Sequence, residues 1–187
     1  MTLYIKNMVC NRCKEAVKSL FVKSGLSVSR IELGEVEVGD NDLPPHTLSK
    51  LSDDLRILGF EMIDDRKGRI IEKIKNVVVN IIHHSDDQPR EKYSELIAAQ
   101  LHYDYSYLSK LFSEVEGVTI EHYIIHQKIE KIKEYIVYDE LTLNEISYRM
   151  GYSSVAHLSN QFKKVTGMTP SYFKTLRNKN RLPLDEV

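Results

Sequence analysis

The fold of the second half of the chain follows from a repeated stretch of sequence. Residues 158–173 read LSNQFKKVTGMTPSYF and residues 108–123 read LSKLFSEVEGVTIEHY, so the two align without gaps at a shift of 50. Upstream, residues 146–150 line up with residues 97–101 once one position is dropped. Self-similarity at a fixed spacing indicates a duplicated structural unit. Each copy is predicted to be a short helix, a tight turn and a second helix that ends at glycine.

The repeated unit is predicted to be a helix-turn-helix. Ala98 and Ser147 supply the small residue that the first helix needs where the second helix crosses it. Gly151 suits the tight turn of the second copy, whereas His102 takes that place in the first. The repeated Leu and Phe, four positions apart, are spaced to fasten the second helix to the core. The opposite face of that helix is then free to enter a major groove.

A long helix is predicted to connect the two units. Thr119 can cap it, and isoleucines recur at helical spacing from Ile120 to Ile136. About nineteen helical residues span roughly 28 Å, close to the ~34 Å between successive major grooves on one side of B-DNA. The connector therefore favours two recognition helices held against one face of a duplex. The alternative is a helical interaction domain built by duplication.

The charge is unevenly distributed along the chain. The net charge is −1, yet residues 149–181 contain seven basic and no acidic residues. Such a segment indicates a local contact with a polyanion, although a solvated surface without acids would have the same composition. Combined with the repeat, it favours DNA binding.

Residues of about 69–177 resemble the AraC/XylS-type DNA-binding domain. The resemblance is densest over residues 143–177, LNEISYRMGYSSVAHLSNQFKKVTGMTPSYFKTLR. It implies two helix-turn-helix units on a long central helix and a role in transcription regulation. We expect a domain at residues 66–178 with units at about 92–117 and 142–167, followed by a frayed polar tail at residues 179–187.

The resemblance also implies which side chains read bases. They are Ser106, Tyr107, Ser109 and Lys110 in the first unit and Val155, Ala156, His157, Ser159 and Asn160 in the second. Asn160 can form two hydrogen bonds with adenine, and His157 can donate to a guanine acceptor. Lys163 and Lys164 are expected at phosphates, which add affinity without sequence information. The first unit is less basic, because Glu114 and Glu116 follow Lys110.

The first 65 residues predict a different kind of domain. Short apolar segments predict strands at about 3–5, at 28–33 and 35–38 on either side of Gly34, and at 60–63, and helical periodicity falls at about 11–24 and 48–58. The order βαββαβ is that of the ferredoxin-like split βαβ motif. The whole chain is thus expected to be α+β, with residues 1–65 as one domain and the polar stretch DDRKG as the boundary.

A cysteine pair lies between the first strand and the first helix. Cys10 and Cys13 stand in the run MVCNRC, where helix N–H groups stabilise thiolates. The spacing, the βαββαβ order and the LGF ending at residues 58–60 resemble a heavy-metal-associated domain, although Asn7 replaces the usual Gly. The resemblance implies a soft ion such as Cu(I), or Zn(II) if other ligands join. A retained fold with unused cysteines and a thioredoxin-like redox site are the alternatives.

Two histidine pairs are weaker candidates. His122 and His126 have the i, i+4 spacing of a chelate, but no third ligand is evident, so a solvated or core-edge role is favoured. His83 and His84 close an apolar helix, where cationic side chains favour the C-terminal dipole. No phosphate loop, nucleophile elbow or carboxylate pair with a partner base indicates an enzyme.

We therefore expect a cytoplasmic, sequence-specific transcription regulator that responds to a soft metal ion or to thiol redox state. No apolar run is long enough to span a bilayer, and the start lacks a secretory signal. The expected partners are double-stranded DNA, RNA polymerase and a second copy of the chain joined through shared thiolate ligation. The alternative is a metal-trafficking, chaperone-like protein whose helical domain binds proteins, and a thiol oxidoreductase is the third reading.

Overall fold

The chain is an α+β protein with a small sheet in its N-terminal part and helices throughout the rest. The computed structural model describes residues 1–39, 43–63, 66–85, 89, 91–176 and 181–187. The chain divides into two compact units, Met1–Asn76 and Val77–Val187. Within the described ranges no helix combines the length and apolarity that crossing a membrane requires.

The first unit alternates strands and helices in the order βαββαβ. Its elements are β1 (Thr2–Lys6), α1 (Asn11–Lys23), β2 (Val28–Glu32), β3 (Glu35–Val38), α2 (Pro45–Ile57) and β4 (Glu61–Met62). The strands form one sheet in the order β2-β3-β1-β4, and every neighbouring pair is antiparallel. Strands β3 and β1 are interior to the sheet, and the loop after β1 leads to Cys10, directly before α1.

The core of the first unit lies between the sheet and its two helices. Ile5 of β1 and Val36 of β3 are fully buried, as expected for the inward positions of alternating strands. Helix α1 packs there through Phe21, and α2 packs there through Leu55, both also fully buried. Met8, in the loop after β1, is fully buried as well. The loop that leads to Cys10 is therefore anchored in the core.

Helix α3 (Arg66–Val79) places the boundary between the units later than the polar stretch predicts. Lys73 forms an ion pair of 2.7 Å with Glu35, and the Asn76 side-chain amide donates to the Leu33 carbonyl over 3.0 Å. These contacts make the first turns of α3 part of the first unit, which ends at Asn76.

The second unit is helical throughout. A π-helical turn (Asn80–His84) is followed by α4 (Tyr93–Leu101), α5 (Tyr105–Glu116), α6 (Ile120–Tyr138), α7 (Leu143–Arg149), α8 (Val155–Thr166) and α9 (Pro170–Thr175). Thr119 caps α6 as predicted, since its side chain accepts the His122 N–H. The side chains of Asp104, Thr142, Ser154 and Thr169 cap α5, α7, α8 and α9 in the same way.

Helix α6 is the shared core element of the second unit. Ile120, Ile129 and Ile132 are fully buried along it. Phe112 of α5, which is also fully buried, packs near the ring of Tyr123 with 5.7 Å between ring centroids. Burying side chains of this size contributes about 1.5–3 kcal/mol each. The 19 residues of α6 match the length predicted for the connector.

The described part of the C-terminal tail, Arg181–Val187, lies along α6 instead of fraying. The Arg181 guanidinium contacts the Glu134 carboxylate at 2.8 Å, and the Leu182 N–H donates to Glu130 over 3.0 Å. The Gln127 side-chain amide donates to the Leu184 carbonyl over 3.1 Å. A polar composition led to the opposite expectation, because the partners of these groups lie about fifty residues upstream.

The π-helical turn places the half-buried side chain of His83 beside Gln127 of α6. Its Nε2 lies 2.8 Å from Oε1 of Gln127, whose own side chain is fully buried. Burial lowers the pKa of His83 to about 4, although the bond to Gln127 and nearby Glu134 act in the opposite direction. His83 is therefore neutral at pH 7, and the expectation of a cationic helix cap at this residue is wrong.

Stability of the second unit should fall in acid because of His83. The pKa is about 4 in the folded chain and 6.5 in the unfolded chain, so protons bind the unfolded state first. The free energy of unfolding keeps its full value with respect to His83 above pH 6.5. It declines as the pH falls to 4, by at most about 3 kcal/mol. Urea unfolding at several pH values, followed by circular dichroism, should show a shallower acid decline in His83→Gln. Equal pH dependence in the two proteins would contradict the role given to His83.

Candidate nucleic-acid interface

The first helix-turn-helix consists of α4 and α5. Ile97 of α4 and Leu108 and Phe112 of α5 are fully buried, which fastens the two helices together. The turn passes through His102, whose backbone is left-handed with φ 57°. Asp104 then caps α5 by accepting the Ser106 N–H over 2.8 Å. The predicted first helix-turn-helix is thus present, and the residue in its turn has a strained backbone.

The second helix-turn-helix consists of α7 and α8. Thr142 and Glu145 form a reciprocal capping box at the start of α7, which satisfies two otherwise unpaired helix N–H groups. The turn passes through Gly151 with φ 71°, the conformation that His102 adopts in the first unit. Leu158 and Phe162 of α8 are fully buried at the positions of the equivalent residues in α5. The two copies therefore share one backbone design.

The side chains predicted to read bases are accessible on both second helices. On α8, Ala156, His157 and Asn160 are exposed, while Val155 and Ser159 are half-buried. On α5, Ser106, Tyr107 and Lys110 are exposed and Ser109 is half-buried. Lys163 and Lys164 are also exposed, one turn further along α8. The buried Leu and Phe of each helix face the core, so these residues line its outer face.

His157 is oriented by two residues of the preceding turn. Its Nδ1 lies 3.2 Å from the Ser153 hydroxyl, and its ring meets the Tyr152 ring edge-on with 5.2 Å between centroids. The Tyr152 hydroxyl in turn donates to Gln161 of α8 over 2.6 Å. These contacts were not predicted, although the position of Tyr152 directly after the turn glycine was the available signal. They hold the imidazole in place before any partner binds.

The outer face of α5 is more acidic than that of α8. The Ser106 hydroxyl donates to the Asp104 carboxylate, so this predicted base-reading group already has a partner. Bonds from the Ser106 hydroxyl and backbone hold the pKa of Asp104 below its usual value, which keeps a negative charge at the start of α5. Lys110 is followed by Glu114 on the same helix. A polyanion would meet less attraction here than at α8.

The basic segment of residues 149–181 is partly neutralised by acids from elsewhere in the chain. Lys174 forms an ion pair with Asp139, and Arg181 forms one with Glu134. By contrast, Lys163 and Lys164 form no ion pair with any described residue. Helix α8 therefore presents two exposed cations that have no ion-pair partner among the described residues, as a phosphate contact requires.

The cysteine pair belongs to the first unit. Cys10 directly precedes α1, Cys13 lies in its first turn, and their sulfur atoms are 3.3 Å apart with both residues half-buried. Burial raises the pKa of the Cys13 thiol, and the bond between the two sulfur atoms acts in the same direction. The helix N-terminus therefore does not make Cys13 a thiolate, contrary to the sequence-based expectation.

The residues around the sulfur atoms fit an ion of low coordination number. Among the described residues, no group of three or more His, Cys, Asp or Glu side chains could hold a metal ion. Two sulfur atoms bound tetrahedrally to Zn(II) at ~2.3 Å would lie about 3.8 Å apart, so the thiols must separate slightly. Asn7 has φ 71° and donates to the Gly59 carbonyl over 3.0 Å. Because asparagine tolerates this left-handed backbone, it can take the place of the usual glycine.

His122 and His126 do not form a metal site with other described residues. Their rings lie close, with 4.4 Å between centroids. Burial lowers the pKa of His126, and the neighbouring His122 acts in the same direction. The rings pack against each other on α6, with His122 exposed and His126 half-buried, which agrees with the solvated or core-edge role.

Comparison with known proteins supports the helix-turn-helix part of the chain. Residues 97–175 match the helix-turn-helix domain family. The chain is 26% identical over 116 residues to YtdP of Bacillus subtilis (strain 168), an uncharacterized HTH-type transcriptional regulator. It is 28% identical over 111 residues to the similarly named SAS0078 of Staphylococcus aureus (strain MSSA476).

The matched regions are a small part of these relatives. They cover 60% of this chain and 15% of YtdP, and 59% of this chain and 14% of SAS0078. Among solved structures, the C-terminal domain of AraT, a response regulator from Geobacillus stearothermophilus, aligns with a TM-score of 0.51 at 23% identity. That alignment covers 63% of this chain and 91% of the AraT domain, and it confirms the helical fold. The heavy-metal-associated-like assignment of residues 1–65 stays a prediction.

The turn of the first helix-turn-helix should be improved by glycine. His102 is exposed and left-handed, a conformation that costs most side chains roughly 1–2 kcal/mol but suits glycine. We expect His102→Gly to raise the free energy of unfolding by about 0.5–1 kcal/mol. The matched variant Gly151→His should lower it by about 1 kcal/mol, because the second turn needs the same backbone. Urea midpoints measure both changes; a destabilised His102→Gly would contradict the shared turn design.

Proposed function

We propose that the chain binds double-stranded DNA sequence-specifically through α5 and α8 and thereby regulates transcription. The observation that carries this proposal is the pair of matching helix-turn-helix units on the ends of α6, each with an accessible outer face on its second helix. A connector of 19 residues is about 28 Å long. It allows both second helices to enter successive major grooves on one side of a duplex.

Base reading is assigned mainly to α8. Asn160 can bind adenine through its amide, and the exposed Ala156 can contact a thymine methyl group. When the Ser153 hydroxyl donates to Nδ1 of His157, Nε2 carries the proton and points a donor at a guanine acceptor. Lys163 and Lys164 bind phosphates and supply affinity without selectivity. On α5, Tyr107, Ser109 and Lys110 make weaker contacts, and the Ser106 hydroxyl, which donates to Asp104, is left to accept from a base donor.

The proposal favours a regulator over a protein-interaction module. Two exposed cations on the outer face of α8, Lys163 and Lys164, suit a polyanionic partner better than a protein surface of mixed charge. Contact with RNA polymerase and pairing with a second copy of the chain remain parts of the proposed function that follow from the family resemblance. The names of the matched relatives, which are HTH-type transcriptional regulators, agree with this assignment.

Two substitutions on α8 should separate base reading from phosphate binding. Asn160→Ala removes a bidentate contact worth about 1–3 kcal/mol, so discrimination at one base pair should fall about 5- to 100-fold. Lys163→Ala should weaken binding to all duplexes alike and reduce the slope of log affinity against log salt by about 0.9. The measurement is fluorescence anisotropy at several salt concentrations, with a duplex selected from a random pool.

The matched control for the phosphate contact is Lys174→Ala. Lys174 is exposed like Lys163 but is paired with Asp139, so its loss should leave the salt slope unchanged. Failure of the pool to enrich any sequence would refute the proposed function. An unchanged base preference in Asn160→Ala would remove that residue from the site.

We also propose that the first unit, a ferredoxin-like domain, binds a soft metal ion or undergoes thiol oxidation at Cys10 and Cys13. The observation that favours this role is the 3.3 Å distance between the two half-buried sulfur atoms. Two sulfur ligands suit Cu(I), and Zn(II) would need ligands from a second molecule, which shared ligation in a dimer could supply. A metal-trafficking protein would share this site. The measurement of selective DNA binding is what distinguishes the two functions.

Cu(I) binding should depend on both cysteines and on pH. Competition titrations with a chromophoric Cu(I) chelator should show one bound ion in the wild type and none in Cys10→Ser/Cys13→Ser. Because the pKa of Cys13 is raised, binding must displace its proton, and apparent affinity should rise with pH by up to about tenfold per unit for each proton released. The double variant His122→Ala/His126→Ala should behave as the wild type. Equal affinity in the cysteine variant would exclude the site.

A further inference from the structure

We propose that Lys128 is a positioning residue that sets the distance and angle between the two recognition helices. Lys128 lies near the middle of α6, between the two helix-turn-helix units. Its consequence for DNA selectivity rests on the proposed function, whereas its effect on the geometry of the free protein does not.

The Lys128 ammonium group contacts both helix-turn-helix units at once. It lies 5.1 Å from the ring centroid of Tyr93, the first residue of α4. It lies 5.6 Å from the ring centroid of Tyr152 and donates to the Met150 carbonyl over 3.0 Å. Met150 and Tyr152 flank the turn glycine of the second unit. One side chain of the central helix therefore ties the first helix of one unit to the turn of the other.

From Tyr152, the contacts continue to the surface of α8 that is proposed to read bases. Tyr152 donates to Gln161 over 2.6 Å and packs edge-on against His157, both on α8. A displacement of Lys128 would thus change the support of the turn and of the ring that orients His157. Neither helix-turn-helix needs this series of contacts for its own packing.

Burying the charged ammonium group of Lys128 costs free energy, and a positioning role gives a reason for that cost. Within the described residues, no carboxylate lies within ion-pair distance of its ammonium group. Burial lowers its pKa, which means that the surroundings disfavour the charged form. A cation held by two ring faces and one carbonyl is directional, because all three partners must stay in place. An apolar side chain of the same size would fill the space without that directionality.

Lys131, one turn along α6, provides a matched control. Its ammonium group contacts Glu134 at 2.7 Å and lies 5.0 Å from the ring centroid of Tyr135. Both partners belong to α6 itself. Lys131→Met therefore removes a cation of similar burial and similar aromatic contact without breaking a link between units.

The first test measures the distance between the recognition helices without DNA. Spin labels at Lys110→Cys of α5 and Lys164→Cys of α8, in a Cys10→Ser/Cys13→Ser background, report it by double electron–electron resonance. We expect one narrow distribution in the parent and in Lys131→Met, and a distribution at least about twofold wider in Lys128→Met. A distribution in Lys128→Met that matches the parent overturns the inference. If Lys128→Met does not fold, as judged by its urea transition, Tyr93→Leu takes its place. That variant removes the contact between Lys128 and the first helix-turn-helix.

The second test measures selectivity for spacing. Duplexes carry the two selected half-sites at the preferred separation or with one base pair inserted. The wild type and Lys131→Met should lose at least about tenfold in affinity on insertion, whereas Lys128→Met should lose less than about threefold. Equal losses in all three proteins overturn the role of Lys128 in spacing. If the wild type binds no duplex selectively, the proposed function fails, while the distance measurement still decides the geometry.

Discussion

The second unit depends on the burial of α6 against both helix-turn-helix units. A row of isoleucines from Ile120 to Ile136 forms one side of each unit's core, and Phe112 of α5 packs near the start of the helix. Because protein interiors are close-packed, a helix buried along its length cannot shift without opening cavities. The core therefore holds both helix-turn-helix units on α6. Within that arrangement, the contacts of Lys128 with Tyr93, Met150 and Tyr152 are the ones proposed to fix the distance and angle between α5 and α8.

The two repeats share a backbone but differ in chemistry. Both turns adopt a left-handed residue, yet the first places histidine there and the second glycine. The second helix-turn-helix also has the capping box of Thr142 and Glu145, and its α8 carries Lys163 and Lys164, which form no ion pair with a described residue. The first has an acidic cap, Asp104, at the same end of α5. The two copies therefore share their packing positions, whereas the charges on their outer faces differ.

The first unit holds its cysteine loop from two directions. The side chain of Asn7 binds the Gly59 carbonyl, and its backbone N–H donates to Glu72 of α3 over 3.1 Å. Met8, the next residue, is fully buried. A ligand that separates the sulfur atoms must act on the first turn of α1, since the loop before Cys10 is fixed.

Sequence alone determined the features that depend on neighbours within a few positions. Helical periodicity, the caps at Asp104, Thr119 and Thr142, the turn at Gly151 and the gapless repeat all follow from local sterics and hydrogen bonding, so they could be predicted. The faces of α5 and α8 followed from the same periodicity. Tertiary structure decided the neutral state of His83, the pairing of Arg181 with Glu134, the protonated state of Cys13 and the contacts of Lys128. Ion pairing and loss of solvent depend on which distant residues folding brings within a few ångströms, and no local pattern encodes that distance.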